Sequence, residues 1–304
     1  MSSEEFDITA TYLRFLEDDP DITMPIAAIE SLVTLLKIKQ PSTSAELITL
    51  LSGAISELKT SVPNAISLSA GCDLFMRFVL RNTHLYSDWE SCRTNLVENG
   101  QLFIQRAKES RNKIAEIGLP FIKDDDIVLV HSYSRVVCNL LIRAFQKHIR
   151  FRVICTEARP TETAKSDTMA YLLRQAGIPV AMIYDSEVGF FMHKVDKVFV
   201  GAEGVAESGG IINHIGSYQM GVLAKNANKR FYVVAESHKF VRMFPLGPDD
   251  LSIKKKLEFS TEDKPIETRH LEFTPHEYIT ALITDLGVLT PSAVSEELIK
   301  MWYD

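Results

Sequence analysis

A chain of 304 residues is long enough for two domains, and at 46% hydrophobic and 24% charged it has an ordinary globular composition. A net charge of −7 excludes a protein whose main task is to hold nucleic acid by neutralising phosphates, which needs a basic face. Cys72, Cys92, Cys138 and Cys155 lack CxxC spacing, so buried reduced thiols are expected rather than a zinc site or a disulfide framework. The start MSSEEFDITATYL has no basic segment before an apolar core, and no run approaches the roughly 18 apolar residues of a membrane span. A soluble, cytosolic protein is expected.

In chain order, the pattern from Glu4 to about Gly118 is helical. Pro25 opens a segment in which Ile26, Ile29, Leu32, Val33 and Leu36 recur at three-and-four spacing. Leu47, Leu51, Ala54, Ile55 and Leu58 repeat that stripe between Ser44 and Lys59. Ser87 followed by Glu90 predicts a capping box for a long helix, and Gly118-Leu119-Pro120 predicts its stop. The stripes need partners, so residues 1–120 are expected to form an N-terminal helical domain whose surplus apolar surface packs on another subunit.

At Asp124-Asp125-Asp126 the rhythm changes. Short apolar runs at Ile127–Val130, Phe151–Cys155, Val180–Tyr184, Val198–Val200 and Phe231–Val234 alternate with amphipathic stretches. This predicts βαβ units on a parallel sheet, so 121–304 is expected to be a Rossmann-like α/β domain. No GxGxxG follows the first run, so no dinucleotide is indicated. Around 246–274 the chain turns polar, which predicts a surface loop; Lys254-Lys255-Lys256 reads there as a solvated run or a contact for a phosphorylated partner. Apolar character returns at Tyr278, and Pro291-Ser292 precede a final helix over Val294–Met301.

The stretch Lys197 to Ser217, KVFVGAEGVAESGGIINHIGS, reads as a strand, a glycine-rich acidic turn and a polar helix start. Gly201, Gly204, Gly209 and Gly210 free the backbone there, and Glu203 is directed at the crevice outside the strand ends where ligands of open α/β sheets sit. The plainer reading is turn punctuation with Glu203 and Glu207 as solvated acids. Glu236-Ser237-His238-Lys239 superficially suggests a Ser/His/acid group, but adjacent residues at one strand end cannot converge as a triad does.

The same stretch resembles the VGAD…NG…NKIGT signature of a family that joins sugar-phosphate isomerases to the regulatory subunits of translation initiation factor 2B. The isomerases act on methylthioribose 1-phosphate or ribose 1,5-bisphosphate; the alpha, beta and delta subunits are their non-catalytic relatives. The resemblance covers essentially the whole chain. GAEGVAESGGIIN, VVAESHKFVRMFPL and ITDLGVLTPSAVSEELIKMWY are most similar to the alpha-type branch, in a fungal-type form. That implies a homodimer bridging two copies of the beta, gamma, delta and epsilon subunits of a guanine-nucleotide exchange factor. It also implies sensing of the phosphorylated alpha subunit of initiation factor 2, with no exchange chemistry of its own. The resemblance places the final helix at a subunit interface.

Residue by residue, the pattern departs from the enzymes. Their first strand ends in His-Cys-Asn-x-Gly, with the cysteine as an acid/base group; here the turn reads His131-Ser132-Tyr133-Ser134-Arg135. A hydroxyl offers no accessible anion near neutral pH, whereas a thiol with a pKa of about 8.5 can be tuned into one. The partnering aspartate has become Glu203, whose extra methylene moves the carboxylate by about 1 Å, enough to cost around a hundredfold in rate. Two arginines of the enzymes are absent from Thr23–Ile29 and Ser67–Leu74, while Arg159 survives, Arg135 is new and His214 replaces a lysine. The resemblance therefore implies a relict sugar-phosphate pocket of Ser132, Tyr133, Ser134, Arg135, Arg159, Glu203, Asn213 and His214. No cofactor or metal is expected, and the pocket could hold a sugar phosphate or nucleotide without turnover. Plainer roles stand beside this: Ser132 and Ser134 capping a helix, Arg159 in a surface turn, His131 buried on backbone, His214 exposed. The rival reading is an active isomerase with serine and glutamate in unusual roles.

Overall fold

The computed structural model describes residues 6–19, 22–62, 65–83, 89–159, 165–245, 250–251, 259–262 and 270–303. The chain falls into two units that divide between Ser110 and Arg111. The first is helical: α1 (Ile8–Asp18), α2 (Met24–Ile38), α3 (Ser44–Ser61), α4 (Ala65–Asn82) and the opening part of α5 (Trp89–Gly118). The Asp7 carboxylate caps α1 by accepting from the Ala10 N–H at 2.8 Å, and the Thr43 hydroxyl caps α3 by accepting from the Glu46 N–H at 3.2 Å. Pro25 sits in the first turn of α2, where its missing N–H costs nothing.

The predicted stripes are buried, from Ile26 to Leu36 on α2 and from Leu47 to Leu58 on α3. On α2, Ala27, Ala28 and Leu35 are buried as well, so this helix is covered on nearly all sides. Gly71 of α4 lies against it so closely that a Cβ would stand 2.3 Å from the Pro25 carbonyl oxygen. Glycine is required for that approach. Ser87, half of the expected capping box, lies outside the described residues. α5 stops at Gly118, followed by a single 3-10 turn over Leu119–Phe121.

The second unit is α/β. Its elements are β1 (Ile127–Val130), α6 (Arg135–Gln146), β2 (Arg152–Thr156), α7 (Lys165–Gln175), β3 (Val180–Ile183), α8 (Val188–Phe191) and β4 (Lys197–Val200). There follow β5 (Gly204–Ala206), β6 (Ile211–His214), α9 (Ser217–Asn226), β7 (Arg230–Val234) and β8 (Phe240–Val241). The chain ends with β9 (Leu271–Thr274), β10 (Ala281–Thr284), β11 (Gly287–Leu289) and α10 (Ala293–Tyr303). A seven-stranded sheet runs in the order β11-β10-β7-β4-β1-β2-β3, parallel except for the β10–β11 hairpin. Its apolar runs are continuous because both faces are covered. Val128 and Val130 face one core with α6 and α7, while Leu129, Val198 and Val200 face another with α9 and α10.

Two stretches fold otherwise than the sequence pattern predicts. The glycine-rich turn after β4 is a β5–β6 hairpin, antiparallel with Val205 opposite Ile211, and its only positive-φ glycine is Gly209 at 79°. Gly204 belongs to a strand rather than a turn. At 271–274 the expected surface loop is instead β9, which pairs with β6 and completes a second sheet in the order β8-β5-β6-β9. Strands of two to four residues are too short to show a period, and pairing rather than local propensity makes them. The lysine run 254–256 lies outside the described residues.

Candidate functional site

The order of the main sheet reverses between β1 and β4: the chain proceeds from β1 toward β2 and β3 on one side and toward β7 and β10 on the other. At such a switch point the connections leave in opposite directions and open a crevice beyond the carboxyl ends of the strands. Residues 131–135 leave β1 into it, and Gly201-Ala202-Glu203 leave β4. A Cβ on Gly201 would stand 2.4 Å from the Ser134 hydroxyl, so the glycine lets the cap of α6 close on the end of β4.

At the end of β1, His131 is buried, with Nε2 2.6 Å from the Ile215 carbonyl and Nδ1 2.7 Å from the Thr156 hydroxyl. A carbonyl can only accept, so Nε2 carries the proton and Nδ1 accepts from Thr156. Burial pushes the imidazole pKa down, against the opposing pull of the Ile215 carbonyl and Asp185. Both ring nitrogens are thereby committed. Ser132 follows at a φ of 59°, 4% exposed, and its hydroxyl has no hydrogen-bond partner among the described residues. It makes no cap. Ser134 does, accepting from the Val137 N–H at 3.4 Å.

At the end of β7 stands a group that sequence reasoning set aside. Glu236 is 1% exposed, with Lys239 Nζ at 3.1 Å and Arg111 Nε at 3.4 Å. Burial opposes its ionisation, yet Lys239, His238 and Arg111 hold the carboxyl well below the usual range. Lys239 also donates 2.9 Å to the Ala202 carbonyl, joining this turn to the end of β4. His238 is buried beside them and its pKa is pushed down to about 4, burial being the largest cause. Ser237 donates through N–H and hydroxyl to Asp285, both at 2.7 Å. Arg135, half-buried in the first turn of α6, feels the fields of Arg111, Glu236, Tyr133 and Glu203 in addition to a burial that lowers its pKa. Arg135 therefore lies within electrostatic range of Glu236, Arg111 and Glu203.

The other predicted residues sit apart from that charge. Arg159 is 77% exposed along its side chain and pairs with Glu157 at 3.0 Å, while Asp185 accepts from the Ala158 and Arg159 N–H groups at 3.0 and 2.8 Å. Asn213 is buried on β6 and donates to the Ser217 hydroxyl at 2.8 Å, which in turn donates to the His214 carbonyl. His214 itself is partly exposed. The Glu272 carboxylate takes the N–H groups of Gly216 and Tyr218 at 2.6 and 2.8 Å, filling the amino end of α9 with the chain's own anion.

Ser132 has no base: His131 is fully bonded elsewhere, and Glu203 makes no hydrogen bond to the hydroxyl. Among the described residues no group of three His, Cys, Asp or Glu side chains could hold a metal ion, and no helix is long and apolar enough to cross a membrane.

A profile described as the initiation factor 2 subunit family matches residues 17–291. The chain belongs to that family. It is 39% identical to translation initiation factor eIF2B subunit alpha of Dictyostelium discoideum over 99% of this chain and 98% of that one. It is 31% identical to a ribose 1,5-bisphosphate isomerase of Pyrococcus furiosus over 90% and 86%. The fold is shared with the tetrameric eIF2B-beta2-delta2 complex of C. thermophilum, at a TM-score of 0.79 and 17% identity over 97% and 96%. Both branches of the family, regulatory and enzymatic, are therefore within reach of this sequence.

Proposed function

We propose that the chain is the alpha, regulatory subunit of eIF2B, the guanine-nucleotide exchange factor for translation initiation factor 2. Full-length similarity to alpha subunits supports the role, and the site agrees with it: Ser132 lacks any base, so the acid/base step of an aldose-to-ketose conversion has no first participant. The subunit acts as a homodimer joining two copies of the beta, gamma, delta and epsilon subunits in the cytosol. It takes part in sensing the phosphorylated alpha subunit of initiation factor 2. A phosphoserine adds up to about two charges and three acceptor oxygens, so a docking face can read it as a shift of population without chemistry. The crevice at the strand ends is a relict pocket that accepts a sugar phosphate or nucleotide without turning it over.

Reconstitution tests the proposal. Mixed with the other four subunits, the chain is expected to raise the assembly from a half-complex to a doubled one by native mass spectrometry. It is also expected to make exchange on initiation factor 2 sensitive to phosphorylation. An assembly of unchanged mass, or exchange inhibited equally with and without the chain, contradicts it.

A further inference from the structure

The turn from Ile215 to Tyr218, between β6 and α9, is held from two sides. On one side stands β9: a single Glu272 carboxylate oxygen accepts from the Gly216 N–H at 2.6 Å and the Tyr218 N–H at 2.8 Å. Just before β9, the His270 carbonyl accepts from the Ile215 N–H at 3.0 Å. On the other side lies the His131 ring, with Nε2 2.6 Å from the Ile215 carbonyl and Nδ1 2.7 Å from the Thr156 hydroxyl. The approach is close: Gly216 has a φ of 106°, and a Cβ there would stand 2.6 Å from the ring. One turn therefore joins the second sheet to the end of β1 in the first. β9 is the outer strand of that second sheet and has β6 as its one paired neighbour among the described residues. Burial pushes the Glu272 carboxyl up in pKa against the pull of the Tyr218, Gly216 and Ser217 N–H groups, so its charge is held there against desolvation.

We propose that Glu272 is a latch: carried on β9, it holds the 215–218 turn down on His131 and so fixes the ring in its neutral, Nε2-protonated form. Glu272 acts through the turn, as a positioning residue. The Asn213 and Ser217 side chains tie the turn to β6, so its link to β9 rests on Glu272 and the His270 carbonyl. The movable part is β9, since a strand paired along one edge opens more readily than one paired along both. When β9 parts from β6, the carboxylate leaves Gly216 and Tyr218, and the amino end of α9 loses its anion. The Ile215 carbonyl then withdraws and the His131 ring is free to change tautomer. The docking of β9 and the state of His131 are thus two readings of one equilibrium, coupled in both directions.

Nitrogen NMR of ring-labelled histidine in the full chain tests the latch, with His131→Gln assigning the signal. Near neutral pH the wild-type ring is expected to show a proton-bearing Nε2 and a bare Nδ1 at well-separated shifts. Glu272→Ala is expected to draw the two shifts together as tautomers average, and to speed amide exchange at Gly216 and Tyr218 about tenfold or more. Glu272→Gln keeps an acceptor oxygen and is expected to keep the wild-type pattern. A folded Glu272→Ala chain with the wild-type pattern, or a wild-type ring protonated on Nδ1, overturns the latch. Hydrogen exchange in the wild type decides the matter even where the alanine variant does not fold. The Gly216 and Tyr218 amides are expected to open together with those of β9, with equal protection; a turn that exchanges well ahead of β9 overturns the coupling.

Discussion

The carboxyl ends of β1 and β7 lie two strands apart in one sheet and differ in chemistry. At β1 a neutral histidine is locked between a carbonyl and a hydroxyl, and the next serine is buried, strained and unbonded. At β7 a glutamate held toward its ionised form stands 3.1 Å from a lysine and 3.4 Å from an arginine of α5, so its charge is compensated although its buried Oε2 makes no hydrogen bond. The contrast shows that two capacities of a pocket are separable. Attraction of an anion falls off slowly with distance and tolerates loose placement, whereas proton transfer needs donor and acceptor within hydrogen-bond reach. On the proposed reading, one end holds a charged ligand and the other supplies no proton transfer.

The largest effect that would break this contrast is removal of a partner of Glu236. Lys239→Met leaves a buried carboxylate under-compensated and is expected to cost about 3–5 kcal/mol in urea unfolding, with much of the loss recovered by Glu236→Gln in the same chain. An unchanged midpoint in the single variant means that Glu236 is not ionised in the fold.

Next comes the response to acid. His238 has its folded pKa at about 4, below the ordinary 6.5, so the unfolded chain binds its proton first. Stability from this group is therefore complete above pH 6.5 and declines as pH falls toward 4, by about 3 kcal/mol in all. His131, lowered in the same direction, adds to the slope, and Glu236 begins to contribute only below its ordinary 4.5. His238→Asn is expected to flatten the decline in a series of thermal melts between pH 7 and 4. A decline that survives the substitution intact assigns it elsewhere.

The smallest effect sharpens the β1 side. Ser132→Gly relieves a positive φ and an orphaned hydroxyl together and is expected to stabilise by about 1 kcal/mol. A loss of stability there would show that the hydroxyl has a partner.

The parallel strands were legible because runs such as IVLV and RFYVV are apolar on both faces, and the α2 and α3 stripes because helices of 15 and 18 residues complete several turns. The hairpin after β4 and the strand at 271–274 were not, since GVA, IINH and LEFT owe their form to one another rather than to local pattern. Within the candidate site, the positions of Ser132, Arg135 and Glu203 just after strand ends were legible from the sequence. Glu236 and Lys239 carried the same signal directly after FYVVA, but reading them as a failed triad hid an ion cluster. Arg111 gave none, lying in a long charged helix whose face is chosen only when α6 packs beside it.

The most direct test of the separation is turnover. Ribose 1,5-bisphosphate incubated with stoichiometric amounts of the purified chain and followed by phosphorus NMR is expected to remain aldose over hours, with its resonances broadened or shifted by binding. Conversion to the ketose that disappears in Glu203→Ala would contradict the account, because Ser132 and Glu203 would then be moving protons after all.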